Sequence, residues 1–351
     1  MNPTSFLALF FTICLSFSPY IKGDTECPTV SSFGDRRKDK NSLRLVQYNV
    51  EWLFIDYYSG MDCPGNGCSW HTIDDAQTHL SYVANVVKNL QPDIINFCEV
   101  EGCDELNILK DQLDSTYNPY LKKGTDTGTG QNVGMLTRID PLVSLYRSEE
   151  RIEYPISGTK CGTTTSAGTS GVSKHYITEF ALGGMNMGGM NVAMIGAHLL
   201  AIPTDPSRCV QREAQAQVLQ NIVSSYIQKG YEVILIGDMN DYDLEVLDLN
   251  SDKPTSRVLD IMKGLDGQLK GTYTLTNVAY RIGQSERYSD WWDSDNNCNT
   301  TSQKDLSMID HILVTSKIDK TIVNAYIYHG YKEYCGKWDS DHYPVVIDFK
   351  F

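Results

Sequence analysis

After its first two dozen residues the 351-residue chain has no apolar run long enough to cross a bilayer. It also lacks any amphipathic segment that reads as a membrane-docking hairpin, so stable membrane insertion is not expected. Basic residues are scarce: 30 Lys and Arg stand against 44 Asp and Glu, a net charge of −14. That balance excludes loose, charge-driven attachment to nucleic acid or to an anionic membrane. It leaves nucleic acid open as a substrate, because a local basic cleft or a bound cation can draw phosphate. There is no internal repeat and no interdomain linker. The Gly124–Gly130 and Gly158–Gly171 stretches read as rim loops, and one catalytic domain over residues 41–351, acting as a monomer, is the simplest expectation.

What is present at the N-terminus looks like a leader. Phe6–Phe17 is apolar but too short for a membrane span, and Ile21-Lys22-Gly23 offers a cleavage site before Asp24. The usual early positive charge is missing apart from the amino terminus, and a buried N-terminal helix is the competing reading. Residues 1–23 are thus expected to be a signal peptide and 24–40 a polar N-terminal segment, placing the mature protein outside the cell or in a lumen. Of the 10 cysteines, Cys14 lies in the leader, so the mature count is odd and at least one thiol is free or intermolecular. Cys63 with Cys68, Cys298 with Cys335 and Cys161 with Cys209 are the pairings expected, although spacing does not fix connectivity. Asn299-Thr300-Thr301 is a glycosylation sequon that suits a secreted loop.

Periodicity predicts a strand over Leu43–Val50, then a helix over Thr72–Leu90 capped by Thr72, with Leu80, Val83, Ala84, Val87 and Leu90 on one face. Pro92 ends it before a strand over Ile94–Phe97. The same strand–helix–strand unit recurs as Val192–Ala197, a helix from about Ser207 to Lys229 closed by Gly230, and Glu232–Ile236. In that helix Val210, Ala214, Val218, Leu219, Ile222 and Tyr226 form the apolar stripe. Further strands are read at Val133–Leu136, Tyr176–Leu182, Met308–Val314, Ile322–Tyr328 and Val345–Phe349. Mixed connections of this kind predict an α/β fold in which two mixed sheets pack face to face with helices outside, and not a doubly wound parallel sheet.

Acid, amide and imidazole residues punctuate the strand ends: Asn49, Glu99, His198, Asp238 with Asn240, Asp310, and Asp341 with His342. Strand ends converge along one sheet edge, so these positions can meet in one pocket. Oxygen ligands and imidazoles without cysteine suit a hard divalent cation and phosphoryl chemistry better than zinc. Singly, each has an ordinary structural reading: Asn49 as a loop cap, Asp310 as a strand-end carboxylate bound to backbone N–H groups, His198 as a packed core residue. Together they favour catalysis.

Tyr48-Asn49-Val50, Phe97-Cys98-Glu99-Val100, Ala197-His198-Leu199, Gly237-Asp238-Met239-Asn240, Met308-Ile309-Asp310-His311 and Ser340-Asp341-His342-Tyr343-Pro344 resemble, in order, the endonuclease/exonuclease/phosphatase superfamily, the DNase I-like fold. The resemblance implies a four-layered α/β sandwich with a metal site at the top of the two sheets. It implies that Asn49, Glu99 and Asp341 serve Mg²⁺, with Mn²⁺ or Ca²⁺ as alternatives, Glu99 contacting the ion directly. Asp238 and Asn240 would orient the attacking water and the scissile phosphate. His342 would face the phosphate with Asp310 behind its ring, and His198 would stabilise a phosphate oxygen or protonate the leaving oxygen. The chain departs from the pattern where DNase I-type enzymes carry an Arg-Glu pair whose glutamate supports the second histidine. Lys174 and His175 stand there, and Lys174 is expected to contact phosphate instead.

Arg208 and Arg212, near the start of a helix, are further candidates for phosphate, against surface pairing with Glu213 or loop carboxylates. His71, His79, His175 and His311 fall outside the set, with His79 expected on a helix surface. Trp291-Trp292 is read either as a base-stacking or pocket-lining pair or as rim and core packing, and Asp290, Asp293 and Asp295 as a solvated loop or a structural cation site. The expected function is a secreted Mg²⁺-dependent phosphodiesterase, a nuclease on DNA or RNA. The alternatives are a sphingomyelinase-like or sugar- or inositol-phosphate phosphoesterase and a catalytically silent binding protein.

Overall fold

A computed structural model describes residues 26–27, 29, 34–54, 70, 72–162, 166–183, 189–293, 297, 299, 302–331 and 340–351. The leader, the Cys63–Cys68 and Cys298–Cys335 pairings, His71, Asp295 and most of the sequon lie outside these residues.

Two sheets carry the fold. In the six-stranded sheet the order is Ile322–Ile327, Val345–Lys350, Ser42–Leu53, Ile94–Val100, Asn132–Thr137 and Asn118–Leu121. In the five-stranded sheet it is Leu275–Asn277, Asp310–Thr315, Glu232–Asp238, Met190–His198 and Lys174–Leu182. Each sheet holds one parallel pair, Ser42–Leu53 with Ile94–Val100 and Met190–His198 with Glu232–Asp238, flanked by antiparallel strands. A parallel pair needs a crossover, and the two long helices, Ile73–Leu90 and Pro206–Gln228, supply it. The helices cover the outer faces, so the layers run helix, sheet, sheet, helix.

Alternation along each strand explains the layering. Leu43 and Leu45 point between the sheets, into the core shared with Met194, Ile234, Ile236 and Ile312. Their neighbours Val46, Tyr48 and Val50 point outward against Leu80, Val83 and Val87 of the first helix. In the second sheet Ala193, Ile195, Val233 and Leu235 face Ala214, Val218 and Leu219 of the second helix. The first helix begins where Thr72 accepts a hydrogen bond from the Asp75 N–H, as expected. The second begins one residue earlier than expected, at Pro206, with Asp205 as its cap.

The fold departs from these expectations at three points. The Met308–Val314 strand starts only at Asp310. A helix at Cys103–Asp111 went unrecognised, and Cys103 in it bonds Cys27, tying the N-terminal segment to the domain. That segment also docks through Arg36, whose guanidinium grips Asp140 at 2.5 and 2.6 Å. His79 is not on the surface: it is fully buried, stacks on Trp70 at 4.1 Å and its Nε2 lies 2.7 Å from the Val50 carbonyl. The Cys161–Cys209 disulfide is present as expected, and Cys98 is a free, buried thiol.

Candidate active site

The same alternation that builds the core builds the site. Following Leu43 and Leu45 on the inter-sheet face come Gln47 and Asn49. Ile94 is followed by Asn96 and Cys98, Ile234 and Ile236 by Asp238, and Met194 by Gly196 and His198. Across the second sheet Lys174 pairs with His198, His198 with Asp238, and Asp238 with Asp310, so four candidate side chains form one row by register. Each is buried.

Polar groups bridge the sheets at this end. Asn49 Nδ2 donates to Asp238 Oδ2 at 3.0 Å and to Glu99 Oε1 at 3.2 Å. Gln47 Nε2 donates to Asp310 Oδ1 at 3.0 Å, Asn96 Nδ2 to Gln47 Oε1 at 2.6 Å, and the Tyr176 hydroxyl to Asn96 Oδ1 at 2.7 Å. Gln47, Asn96 and Tyr176 escaped sequence reading, although polar residues in otherwise apolar strands were the available signal.

His342 lies on the segment between residue 340 and the last strand. Its Nδ1 donates to Asp310 Oδ2 at 2.7 Å, and Asp310 is itself held by the Ser289 hydroxyl at 2.9 Å. Nε2 is thereby aimed into the cleft, 3.5 Å from Asp290, 3.9 Å from Asp341 and 4.0 Å from Asp238. His198 Nε2 lies 3.6 Å from the same Asp238 oxygen. Two imidazoles and an amide thus converge on one carboxylate, whose other oxygen accepts the Asn240 N–H at 2.9 Å.

Several of these residues hold left-handed backbone: Glu51 at φ 46°, Glu99 at φ 67° and Asn240 at φ 48°. The first two sit where strand register slips, between Asn49 and Leu53 and between Cys98 and Val100. At Glu99, which regular alternation would put on the helix face with Ile95 and Phe97, the bulge turns the side chain toward Asn49.

Electrostatics separates the two histidines. Burial opposes charge on His342, but Asp310 and Asp341 outweigh it and hold its pKa well above the usual imidazole range. Burial, reinforced by the Lys174 charge, drives His198 well below it. The His198 Nδ1 is buried with no hydrogen-bond partner among the described residues, which agrees with the missing glutamate. Lys174 Nζ is turned to Gln131 at 3.3 Å and Asp126 at 3.7 Å. Burial and the Asp310 charge raise Asp238 to about 7, burial raises Asp290 to about 6, and burial with Glu51 nearby pushes Asp341 well up. One ligand atom each from Asp238, Asp310 and His342 falls within 4.8 Å of the others, and the same holds for Asp290, Asp341 and His342. Glu99 belongs to neither group and meets the cluster through Asn49. Buried carboxylates that raise one another's pKa, all oxygen donors, are a donor set that fits a hard divalent cation.

Asp290 corrects an expectation: it is buried beside His342, not part of a solvated loop. Glu51, missed in the sequence, accepts the Asp341 N–H at 3.1 Å. The arginines stand apart from the cluster. Arg212 is fully buried, and its Nε, Nη1 and Nη2 donate to Asp241 and to the carbonyls of Leu200, Ala201, Ile202 and Pro203, so it shapes the turn after His198. Arg208 meets the Ala201 carbonyl and Asp205.

The sequence matches the Endonuclease/Exonuclease/phosphatase family over residues 46–342. The chain belongs to that family. Endonuclease/exonuclease/phosphatase members are divalent-metal-dependent phosphoester hydrolases, and this one carries an acidic and histidine cluster able to hold a metal. Similar solved structures include the catalytic domain of Xenopus laevis APE2, with TM-score 0.56 and 15% identity over 88% of this chain and 92% of that one. The 3′ phosphatase NExo from Neisseria, bound to a product DNA hairpin, gives 0.55 and 13% over 88% and 100%. Truncated Caenorhabditis elegans TDP2 gives 0.50 and 20% over 88% and 98%. At these identities the likeness is one of fold. No curated protein sequence matches significantly.

Proposed function

We propose that the protein is a secreted, Mg²⁺-dependent phosphodiesterase that hydrolyses the P–O bonds of DNA or RNA. The observation that carries this reading is the convergence of Asn49, His198 and His342 on Asp238, with Asp310 behind His342. Glu99, Asn49 and Asp341 would hold the cation, which when bound neutralises phosphate charge and favours attack by water. Asp238 and Asn240 align the attacking water. His342, locked by Asp310, presents Nε2–H to a non-bridging phosphate oxygen as charge builds there. His198 adds a second, neutral N–H donor. Water adds to phosphorus, the P–O bond to the leaving alkoxide breaks, and a proton returns to that oxygen.

Two disulfides, Cys27–Cys103 and Cys161–Cys209, support an oxidising compartment. Mature protein with Mg²⁺, Mn²⁺ or Ca²⁺ is to be assayed on plasmid DNA, single strands and RNA beside sphingomyelin and inositol phosphates. Cleavage of nucleic acid is expected; turnover of the lipid or inositol substrates alone sinks the nuclease reading. Wild type no better than Glu99→Gln on every substrate would leave a binding protein.

A further inference from the structure

The short hairpin that carries Asp290 to His342 also carries an unexplained side chain. Asp290 pairs with Ser307 and Trp291 with Leu306, and the ladder continues as the Trp292 N–H donates to the Asp305 carbonyl at 2.7 Å. Side chains alternate along this pairing. Asp290 faces the Ser307 hydroxyl and His342, and Trp291 faces the core, 4% exposed. Trp292 returns to the face of Asp290, two residues or about 7 Å along the strand. It is 66% exposed, and no aromatic ring among the described residues stacks on it.

We propose that Trp292 is a specificity-determining residue, the platform on which a nucleobase next to the scissile phosphate stacks. The inference rests on the nucleic-acid reading above. A base hangs on the sugar beside that phosphate, and Trp292 lies two residues along from Asp290, whose backbone bridges to His342. With a net charge of −14, backbone attraction contributes little, and an uncharged stacking contact supplies affinity that charge does not. A lipid surface fits the place less well: one indole between Asp290 and Asp293 is neither an apolar patch nor a basic one.

The test compares wild type with Trp292→Ala, Trp292→Phe and Trp292→Leu. The substrates are an oligonucleotide with one cleavable linkage and the same strand with abasic spacers flanking that linkage. Trp292→Ala should lose about 5- to 150-fold in kcat/KM on the full strand, the equivalent of a stack of about 1–3 kcal/mol, chiefly through KM. On the spacer strand all four proteins should be alike. Phe should retain most of the activity, Leu should behave like Ala, and strand binding should quench wild-type tryptophan fluorescence more than that of Trp292→Phe. Equal losses on both strands, no loss, or a Leu variant as good as wild type overturns the stacking role while leaving the nuclease reading intact. Wild type inactive on every oligonucleotide but active on sphingomyelin vesicles overturns both. Unchanged thermal unfolding of Trp292→Ala confirms that the losses are not misfolding.

Discussion

His342 shows how much one position depends on its surroundings. Asp310 takes Nδ1, Ser289 holds Asp310, and three further carboxylates lie within 4.0 Å of Nε2. His342→Ala should lower kcat by about 10²–10⁴-fold with an unchanged circular dichroism spectrum. Asp310→Asn should reproduce much of that loss, since it removes the charge that orients the ring. If the double variant is no worse than the worse single one in single-turnover assays, the two act as a unit. A second histidine has a purely structural consequence. His175 accepts the Ser148 N–H at Nε2 and lies 2.7 Å from the Val172 carbonyl at Nδ1, so the fold holds it neutral. Burial, then the Arg147 charge, depresses it from 6.5 to about 4. Above pH 6.5 both folded and unfolded states are neutral and this contribution is whole. As pH falls from 6.5 to 4 only the unfolded chain takes the proton, and about 3 kcal/mol is lost. Urea titrations at pH 7 and 4.5 should show a smaller pH dependence in His175→Gln than in wild type, by nearly that amount.

Among the elements, the strand ending in Gly237-Asp238 tolerates least. Gly237 sits at φ +153°, and a Cβ there would come 1.7 Å from the Ala197 carbonyl oxygen of the neighbouring parallel strand. Gly237→Ala must open the pairing that registers His198 with Asp238, so a loss beyond about 4 kcal/mol is expected, with hydrolysis abolished. Gly230, at φ +83° after the second helix, has open space around it, and Gly230→Ala should cost only about 1 kcal/mol of backbone strain with activity kept. Thermal unfolding of the two variants side by side checks the contrast. The Cys27–Cys103 disulfide spans 76 residues and anchors the helix that follows the Glu99 bulge. Cys103→Ser should lower stability by about 2–4 kcal/mol, measured by denaturant unfolding against wild type with its disulfides intact.

At the scale of the whole molecule, the two sheets meet at their polar ends around carboxylates that repel one another. A cation that satisfies them ties the sheets together. Chelation should therefore abolish hydrolysis and also lower the unfolding temperature, and Mg²⁺ or Mn²⁺ should restore both. At a hundredfold excess over Kd the added stability is about 2.7 kcal/mol. Differential scanning calorimetry with and without chelator measures it, and Glu99→Gln should show a smaller cation-induced shift.

The order of strands and helices was written in local pattern, because apolar periodicity and caps such as Thr72 act over a few residues. The ordered acid, amide and imidazole motifs likewise pointed to the family without coordinates. Tertiary structure alone decided which polar residues face one another. Asp290 joins His342 through a hairpin distant in sequence, and Glu99 reaches the cleft through a bulge that breaks the alternation a sequence displays. His79 and Arg212 disappear into the interior because packing around Trp70 and the Leu200–Pro203 turn satisfies their nitrogens. Local chemistry sets which residues are available, but only the closure of two sheets determines which of them lose water and share one charge field.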